Sequence, residues 1–128
     1  MTAAFAVTGE VRMAKIVVLG AGIGGVPMAF ELRERLGRSA EIEVVSDSEW
    51  FQFVPSDPWV AVTWRKPQDI TVHLPEVFAG LGIGCTSVGA KQVLPKSNEV
   101  VLNDSRRISY DYLVVATGPW RPSRLICP

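Results

Sequence analysis

Three glycines at G-x-G-x-x-G spacing give the clearest indication of a chemical function in this sequence. Gly20, Gly22 and Gly25 follow the apolar run of residues 16–19 and precede a stretch with helical character. In such a turn the first glycine permits the tight bend, the second lets a diphosphate approach the backbone, and the third lets helix pack on strand. Unpaired N–H groups at the helix start would bind the phosphates. The predicted phosphate-binding residues are Gly20, Ala21, Gly22, Ile23, Gly24 and Gly25.

Two polar residues stand where a ribose ligand is expected. An Asp or Glu about twenty residues after the glycines usually binds the adenosine ribose hydroxyls. Ser46 occupies this position, and Asp47 follows it directly. Both are therefore candidate ribose ligands, and the serine makes an ordinary NAD site a weaker interpretation.

These residues need a strand, a helix and a second strand to position them. Residues 16–19 are apolar and mostly β-branched, which is typical of a strand buried on both faces of a parallel sheet. Residues 24–37 carry apolar side chains near helical spacing, and Gly37 is a natural helix end. Residues 42–46 predict a second strand. The first fifty residues therefore predict a βαβ unit.

An aromatic segment follows this unit. Pro55 and Pro58 interrupt residues 50–64, which therefore predict an irregular but strongly apolar loop. A short helix is predicted within residues 69–81, starting near Pro75, because proline is well tolerated in the first turn of a helix.

The last third of the sequence predicts several strands. Residues 83–88, 91–94 and 99–102 predict a small antiparallel meander, and residues 112–116 predict a last buried strand. The predicted fold class is α/β, with a Rossmann-like parallel sheet and a small antiparallel β-meander inserted before its last strand.

Length and composition limit the classes of function. The 128 residues fit one domain, and 13 basic residues balance 13 acidic ones, so nucleic acid is not an expected partner. The sequence contains no apolar run of about 18 residues and no secretory signal, which favours a cytoplasmic location. Cys85 and Cys127 form neither a disulfide framework nor a zinc motif, so no metal site is predicted.

Three segments together resemble the N-terminal FAD-binding part of sulfide:quinone oxidoreductases, in the FAD-dependent pyridine nucleotide-disulfide oxidoreductase superfamily. They are "KIVVLGAGIGGVPMAFELRERLG", "IEVVSDSEWFQFVPSDPWV" and "YDYLVVATGP". The glycine turn is common to many proteins, whereas the loop "FQFVPSDPWV" is far more selective. The resemblance implies a FAD-binding domain over residues 13–119, incomplete relative to the family, followed by a divergent tail over residues 120–128. Residues 1–12 show no clear period and are predicted to be a flexible extension.

The resemblance also implies FAD as the cofactor and a role for individual residues. It places the glycine turn at the pyrophosphate, and Ser46 and Asp47 at the adenosine ribose. The other implied contacts are Val54 and Pro55 near the flavin-side half, Gly89 and Ala90 at the adenine, and Thr117 and Gly118 beside the cofactor.

No catalytic residue is assigned to this chain. In intact relatives the resemblance implies that sulfide is oxidised at cysteines beside the flavin and that electrons pass through FAD to quinone. Those cysteines and the quinone site lie beyond the matching region. Cys85 is predicted to be a small buried side chain in the meander, and Cys127 has no assigned role. His73 is predicted to be a surface or capping residue.

Because the resemblance ends after residue 119, the chain is expected to be a truncated fragment with weak FAD retention and no turnover. One alternative is a fragment of a type II NADH:quinone or flavocytochrome c sulfide dehydrogenase-like flavoprotein. Another is a non-catalytic nucleotide-binding remnant that self-associates through exposed apolar surface. Peripheral membrane contact is expected only of the intact relatives.

Overall fold

The computed structural model describes residues 12–118, which form nine strands and three α-helices. The strands are β1 (Ala14–Leu19), β2 (Ala40–Val45), β3 (Trp50–Gln52), β4 (Thr71–His73), β5 (Gly84–Thr86), β6 (Ala90–Leu94), β7 (Glu99–Leu102), β8 (Arg107–Ser109) and β9 (Tyr112–Val115). The helices are α1 (Gly25–Leu36), α2 (Asp57–Ala61) and α3 (Leu74–Gly80), with 3-10 turns at Val54–Ser56 and Pro67–Ile70. Cys127, the predicted tail and all of the predicted N-terminal extension except Arg12 lie outside the described residues.

A four-stranded parallel sheet in the order β5-β2-β1-β9 forms the centre of the domain. Helix α1 connects β1 to β2, as the predicted βαβ unit requires. The meander lies between β5 and β9 in the sequence, so the predicted α/β class and the insertion before the last strand are both confirmed.

The two central strands of the parallel sheet are covered on both faces, whereas β9, which was predicted to be buried, is an edge strand whose first and last residues are exposed. Val17 and Val18 are adjacent in β1 and both fully buried, and they contribute to two different apolar clusters because successive strand residues face opposite ways. The Val18 cluster includes Ala29 of α1 and Phe78 of α3. The Val17 cluster includes Val100 of β7. Helices thus cover one face of the sheet and the meander covers the other.

The meander consists of different strands from those predicted. Residues 83–88 were expected to be its first strand, but β5 pairs in parallel with residues 43–45 of β2 and so extends the central sheet. The three meander strands are β6, β7 and β8. A strand that follows a helix on one face of a parallel sheet joins that sheet by a crossover, and α3 supplies this helix immediately before β5.

The aromatic segment is also more regular than predicted. The prediction of a loop over residues 50–64 is wrong, because the segment contains β3, a 3-10 turn and α2. Pro55 and Pro58 each stand in the first turn of one of these short helices, where no backbone N–H is needed. Pro75 likewise stands in the first turn of α3, as predicted. Among residues 12–118, no helix has the length and apolar character needed to span a membrane.

The start of β1 is bonded to the residue directly before β9. The Asp111 carboxylate accepts a hydrogen bond from the Lys15 backbone N–H at 2.7 Å. The Asp111 N–H donates to the Lys15 carbonyl oxygen at 2.8 Å, and Arg12 forms an ion pair with the same carboxylate at 3.2 Å. These bonds fix the register in which β9 pairs with β1.

Candidate nucleotide-binding site

The carboxyl ends of β1, β2 and β9 meet at a cleft of about 790 Å³. In open parallel sheets, ligands bind outside the carboxyl ends of the strands. The residues that line this cleft are 19–24, 45–48, 50, 89–90, 103 and 116–118.

Gly20 closes the turn after β1. Its backbone has φ of +98°, and a Cβ atom there would lie 2.4 Å from the Ala116 carbonyl oxygen. Its N–H donates to the Val45 carbonyl oxygen at 2.8 Å. Gly20 therefore holds the ends of β2 and β9 close to the end of β1, and no side chain can replace its hydrogen atom without moving backbone.

Gly25 and Gly22 have opposite surroundings. A Cβ at Gly25 would lie 1.8 Å from the Gly20 carbonyl oxygen, so Gly25 permits close packing of α1 on the turn. A Cβ at Gly22 would meet no atom within 4 Å, and Gly22 lines the cleft. The open space at Gly22 is what a diphosphate approaching the backbone requires.

The start of α1 has the character of an anion site. The helix begins at Gly25, and among the described residues no side chain caps it and no acidic residue lies in its first turn. The first hydrogen bond of the turn runs from the Val26 N–H to the Gly22 carbonyl oxygen at 3.1 Å. The backbone N–H groups before Val26 are therefore available to bind a negatively charged ligand, and the helix dipole favours such a ligand.

The two candidate ribose ligands differ in availability. Ser46 is buried, and its hydroxyl oxygen accepts a hydrogen bond from the Ser48 N–H at 3.2 Å. Its backbone N–H and carbonyl group bond to Thr86 and Gly89, each at 2.8 Å. Asp47 is exposed at the cleft, and within residues 12–118 its carboxylate has no hydrogen bond or ion pair. Asp47 thus has the free acceptor oxygens.

Gly89 adjoins Asp47 at the start of the meander. Its φ is +81°, and a Cβ there would lie 2.7 Å from the Asn103 side-chain nitrogen and 3.4 Å from the Asp47 Cβ. The Asn103 backbone N–H donates to the Gly89 carbonyl oxygen at 3.0 Å, and its side-chain amide donates to the Val88 carbonyl oxygen at 3.0 Å. Asn103 was not predicted from the sequence. Its only sequence signal is its position, as a polar residue directly after the apolar β7.

The remaining predicted contacts divide into two groups. Ala90, Thr117 and Gly118 line the cleft together with the glycine turn, Ser46, Asp47 and Gly89. Val54 and Pro55 do not line it, because they lie in the 3-10 turn of the aromatic segment, where the Val54 residue is 56% exposed. Their role at the flavin-side half stays a prediction. Trp50 lines the cleft and was not predicted to do so.

Neither Cys85 nor His73 belongs to the cleft. Cys85 lies in β5 rather than in the meander, and burial, reinforced by the charges of Glu49 and Glu43, raises the pKa of its thiol. A raised pKa reduces the thiolate fraction, in keeping with the packing role predicted for Cys85. His73 stands directly before α3, and its ring nitrogens lie 3.4 Å from a Glu49 oxygen and 3.3 Å from a Glu76 oxygen.

The Rossmann-like sheet, the glycine turn and the uncapped helix start define a dinucleotide-binding protein. The chain belongs to the pyridine nucleotide-disulphide oxidoreductase family, whose model matches residues 14–128. Members of this family and the sulfide:quinone oxidoreductases are FAD-binding flavoproteins, which agrees with the predicted cofactor. The resemblance to sulfide:quinone oxidoreductases is confirmed by the individual relatives.

Among these relatives is the sulfide-quinone reductase of Aquifex aeolicus, with 40% identity over 108 residues, or 84% of this chain and 25% of the relative. Its solved structure superposes with a TM-score of 0.79 at 37% identity, over 84% of this chain and 25% of that one. Apoptosis-inducing factor 1 of Saccharomyces cerevisiae is 35% identical over 103 residues, or 80% of this chain and 26% of the relative. The chain thus spans about a quarter of the length of these relatives.

Proposed function

We propose that residues 13–119 are the FAD-binding unit of a sulfide:quinone oxidoreductase-like flavoprotein, in which sulfide is oxidised and electrons pass through FAD to quinone. The observation that carries the proposal is the convergence of three features in one cleft: open space at Gly22, a start of α1 that no described side chain caps, and the carboxylate of Asp47, which has no hydrogen bond or ion pair within residues 12–118. The 40% identity to a sulfide-quinone reductase supports this substrate pair over the other family activities.

The chain's own residues bind and orient the cofactor in this proposal. Backbone N–H groups at the start of α1 donate to the pyrophosphate, and the missing side chain of Gly22 gives it room. The Asp47 carboxylate accepts hydrogen bonds from the ribose hydroxyls, while Ser46 holds the turn through its bond to Ser48. When bound, FAD supplies the electron-transfer chemistry. No side chain of this chain is proposed to be catalytic.

A chimera tests the assignment to sulfide and quinone. Residues 13–118 replace the matching segment of the Aquifex aeolicus sulfide-quinone reductase, and sulfide-dependent quinone reduction is measured. We expect the chimera to retain FAD and reduce quinone, because the segment superposes on that enzyme with a TM-score of 0.79. As a matched control, the same residues replace the segment of putidaredoxin reductase, which superposes with a TM-score of 0.71 at 26% identity. If the control chimera kept the activity of putidaredoxin reductase while the first chimera did not reduce quinone with sulfide, the proposal would be contradicted.

Removal of the Asp47 carboxylate tests the ribose contact. The purified chain should bind ADP at least about tenfold more tightly than 2′,3′-dideoxy-ADP, because a charge-assisted hydrogen bond contributes about 1.5–3 kcal/mol. In Asp47→Ala this discrimination should disappear, as measured by calorimetric titration with both nucleotides.

Glu34→Ala is the matched control for Asp47→Ala, since it removes an exposed carboxylate on α1 away from the cleft. It should leave both affinities unchanged. If discrimination persisted in Asp47→Ala and vanished in Ser46→Ala, the ribose ligand would be Ser46 instead.

A further inference from the structure

Trp50 is a large aromatic residue at the cleft that the proposed binding of FAD does not use. It is 57% exposed although it lines the cleft. It lies three residues after Asp47, and Asp47 in turn adjoins Gly89. The tryptophan, the proposed ribose ligand and the backbone predicted to face the adenine therefore line the same cleft.

The position of Trp50 is fixed from two directions. Its backbone N–H donates to the Ser48 hydroxyl oxygen at 3.1 Å, and β3 places it opposite His73 of β4 in an antiparallel pair. The two rings have centroids 4.8 Å apart and are inclined by 49°. His73 is in turn held between Glu49 and Glu76. One side of the indole thus has a support, while more than half of the residue stays accessible to solvent.

The other exposed tryptophans within the described part of the chain have a different arrangement. Trp59 and Trp64 stack on each other with centroids 5.3 Å apart and an angle of 11°, and neither lines the cleft. Like Trp50, each of them has an aromatic partner, but both lie outside the cleft. Trp50 combines a contact to the His73 ring with an accessible position at the proposed nucleotide-binding cleft.

We propose that Trp50 is a stacking platform for the nucleobase of the bound dinucleotide, a role that rests on the proposed nucleotide site. The ligand class is a nucleotide with a flat purine base, as in the ADP half of FAD. Base-aromatic stacking contributes about 1–3 kcal/mol per base and needs no hydrogen bond from the side chain. It would bury part of an exposed indole surface without disturbing the His73 contact.

The experiment compares ligands with and without a base. ADP and inorganic pyrophosphate are titrated calorimetrically into the wild-type chain, Trp50→Phe, Trp50→Leu and Trp64→Ala. In Trp50→Leu the ADP affinity should fall about tenfold, within the range that stacking supplies, and pyrophosphate affinity should stay the same. Trp50→Phe should retain most of the ADP affinity because it keeps a flat ring. Trp64→Ala should change neither affinity, since that residue is 75% exposed outside the cleft.

The possible failures are distinguishable from one another. Unchanged ADP affinity in Trp50→Leu would refute the stacking role of Trp50 and leave the proposed nucleotide site in place. Equal losses of affinity for ADP and pyrophosphate would show that Trp50 only supports the fold of the cleft. This result would also refute the stacking role of Trp50. If neither ligand bound a folded wild-type chain, the nucleotide site and the platform would fail together.

Discussion

Replacement of Gly25 with alanine should lower the free energy of unfolding by at least about 3 kcal/mol, enough to unfold a marginal domain. The added Cβ would lie 1.8 Å from the Gly20 carbonyl oxygen, and backbone rather than a flexible side chain would have to move. Gly25 is the buried first residue of α1, packed against the turn after β1, so α1 would have to shift off the sheet. Urea denaturation followed by circular dichroism measures the loss.

Gly22→Ala is the matched control, because a methyl group there meets no atom within 4 Å. It should change stability by no more than about 0.5 kcal/mol, the usual range for exposed positions. Equal destabilisation by the two alanines would mean that α1 does not pack on the turn as the structure describes.

Gly22→Val should abolish most nucleotide binding while the domain stays folded. The isopropyl group would occupy the space through which a diphosphate reaches the N–H groups at the start of α1. We expect the affinity for ADP and for FAD to fall about a hundredfold, equivalent to about 2.7 kcal/mol. Calorimetry gives the affinity, and thermal unfolding shows whether the fold is retained.

Gly80→Val adds the same side chain at the end of α3, where a Cβ also meets no atom within 4 Å and the residue does not line the cleft. This variant should bind ADP like the wild-type chain. Undiminished binding in Gly22→Val would place the diphosphate elsewhere and remove the observation on which the proposed function depends.

The features that sequence reasoning predicted are those encoded locally. Apolar β-branched residues, helical spacing and Gly37 mark β1, α1 and β2 within the first fifty residues, and the glycine spacing marks the turn between β1 and α1. Asp47, which lines the cleft, was predicted as a ribose ligand because the distance from the glycines to that ligand is set by one βαβ unit. Such signals depend on neighbouring residues and need no knowledge of distant contacts.

The features that were missed depend on distant partners. From the sequence alone, the three residues of β5 are equally compatible with a strand of the meander and a strand of the parallel sheet. Only their pairing with residues 43–45 of β2 decides which sheet they join. Asn103 acts through bonds to Val88 and Gly89, more than ten residues earlier. Trp50 lines the cleft through β3, a three-residue strand within a segment whose prolines predicted a loop.

The pairing of Lys15 with Asp111 has a consequence for how the domain is made. Because β9 is the last strand of the described chain and β1 the first, their ladder can close only after residues 14–115 have left the ribosome. Long-range closure of this kind slows folding, and β1 keeps one unsatisfied edge during synthesis. The nascent chain is therefore expected to depend on chaperone protection until residues 112–115 arrive, and to acquire protease resistance in a single late step.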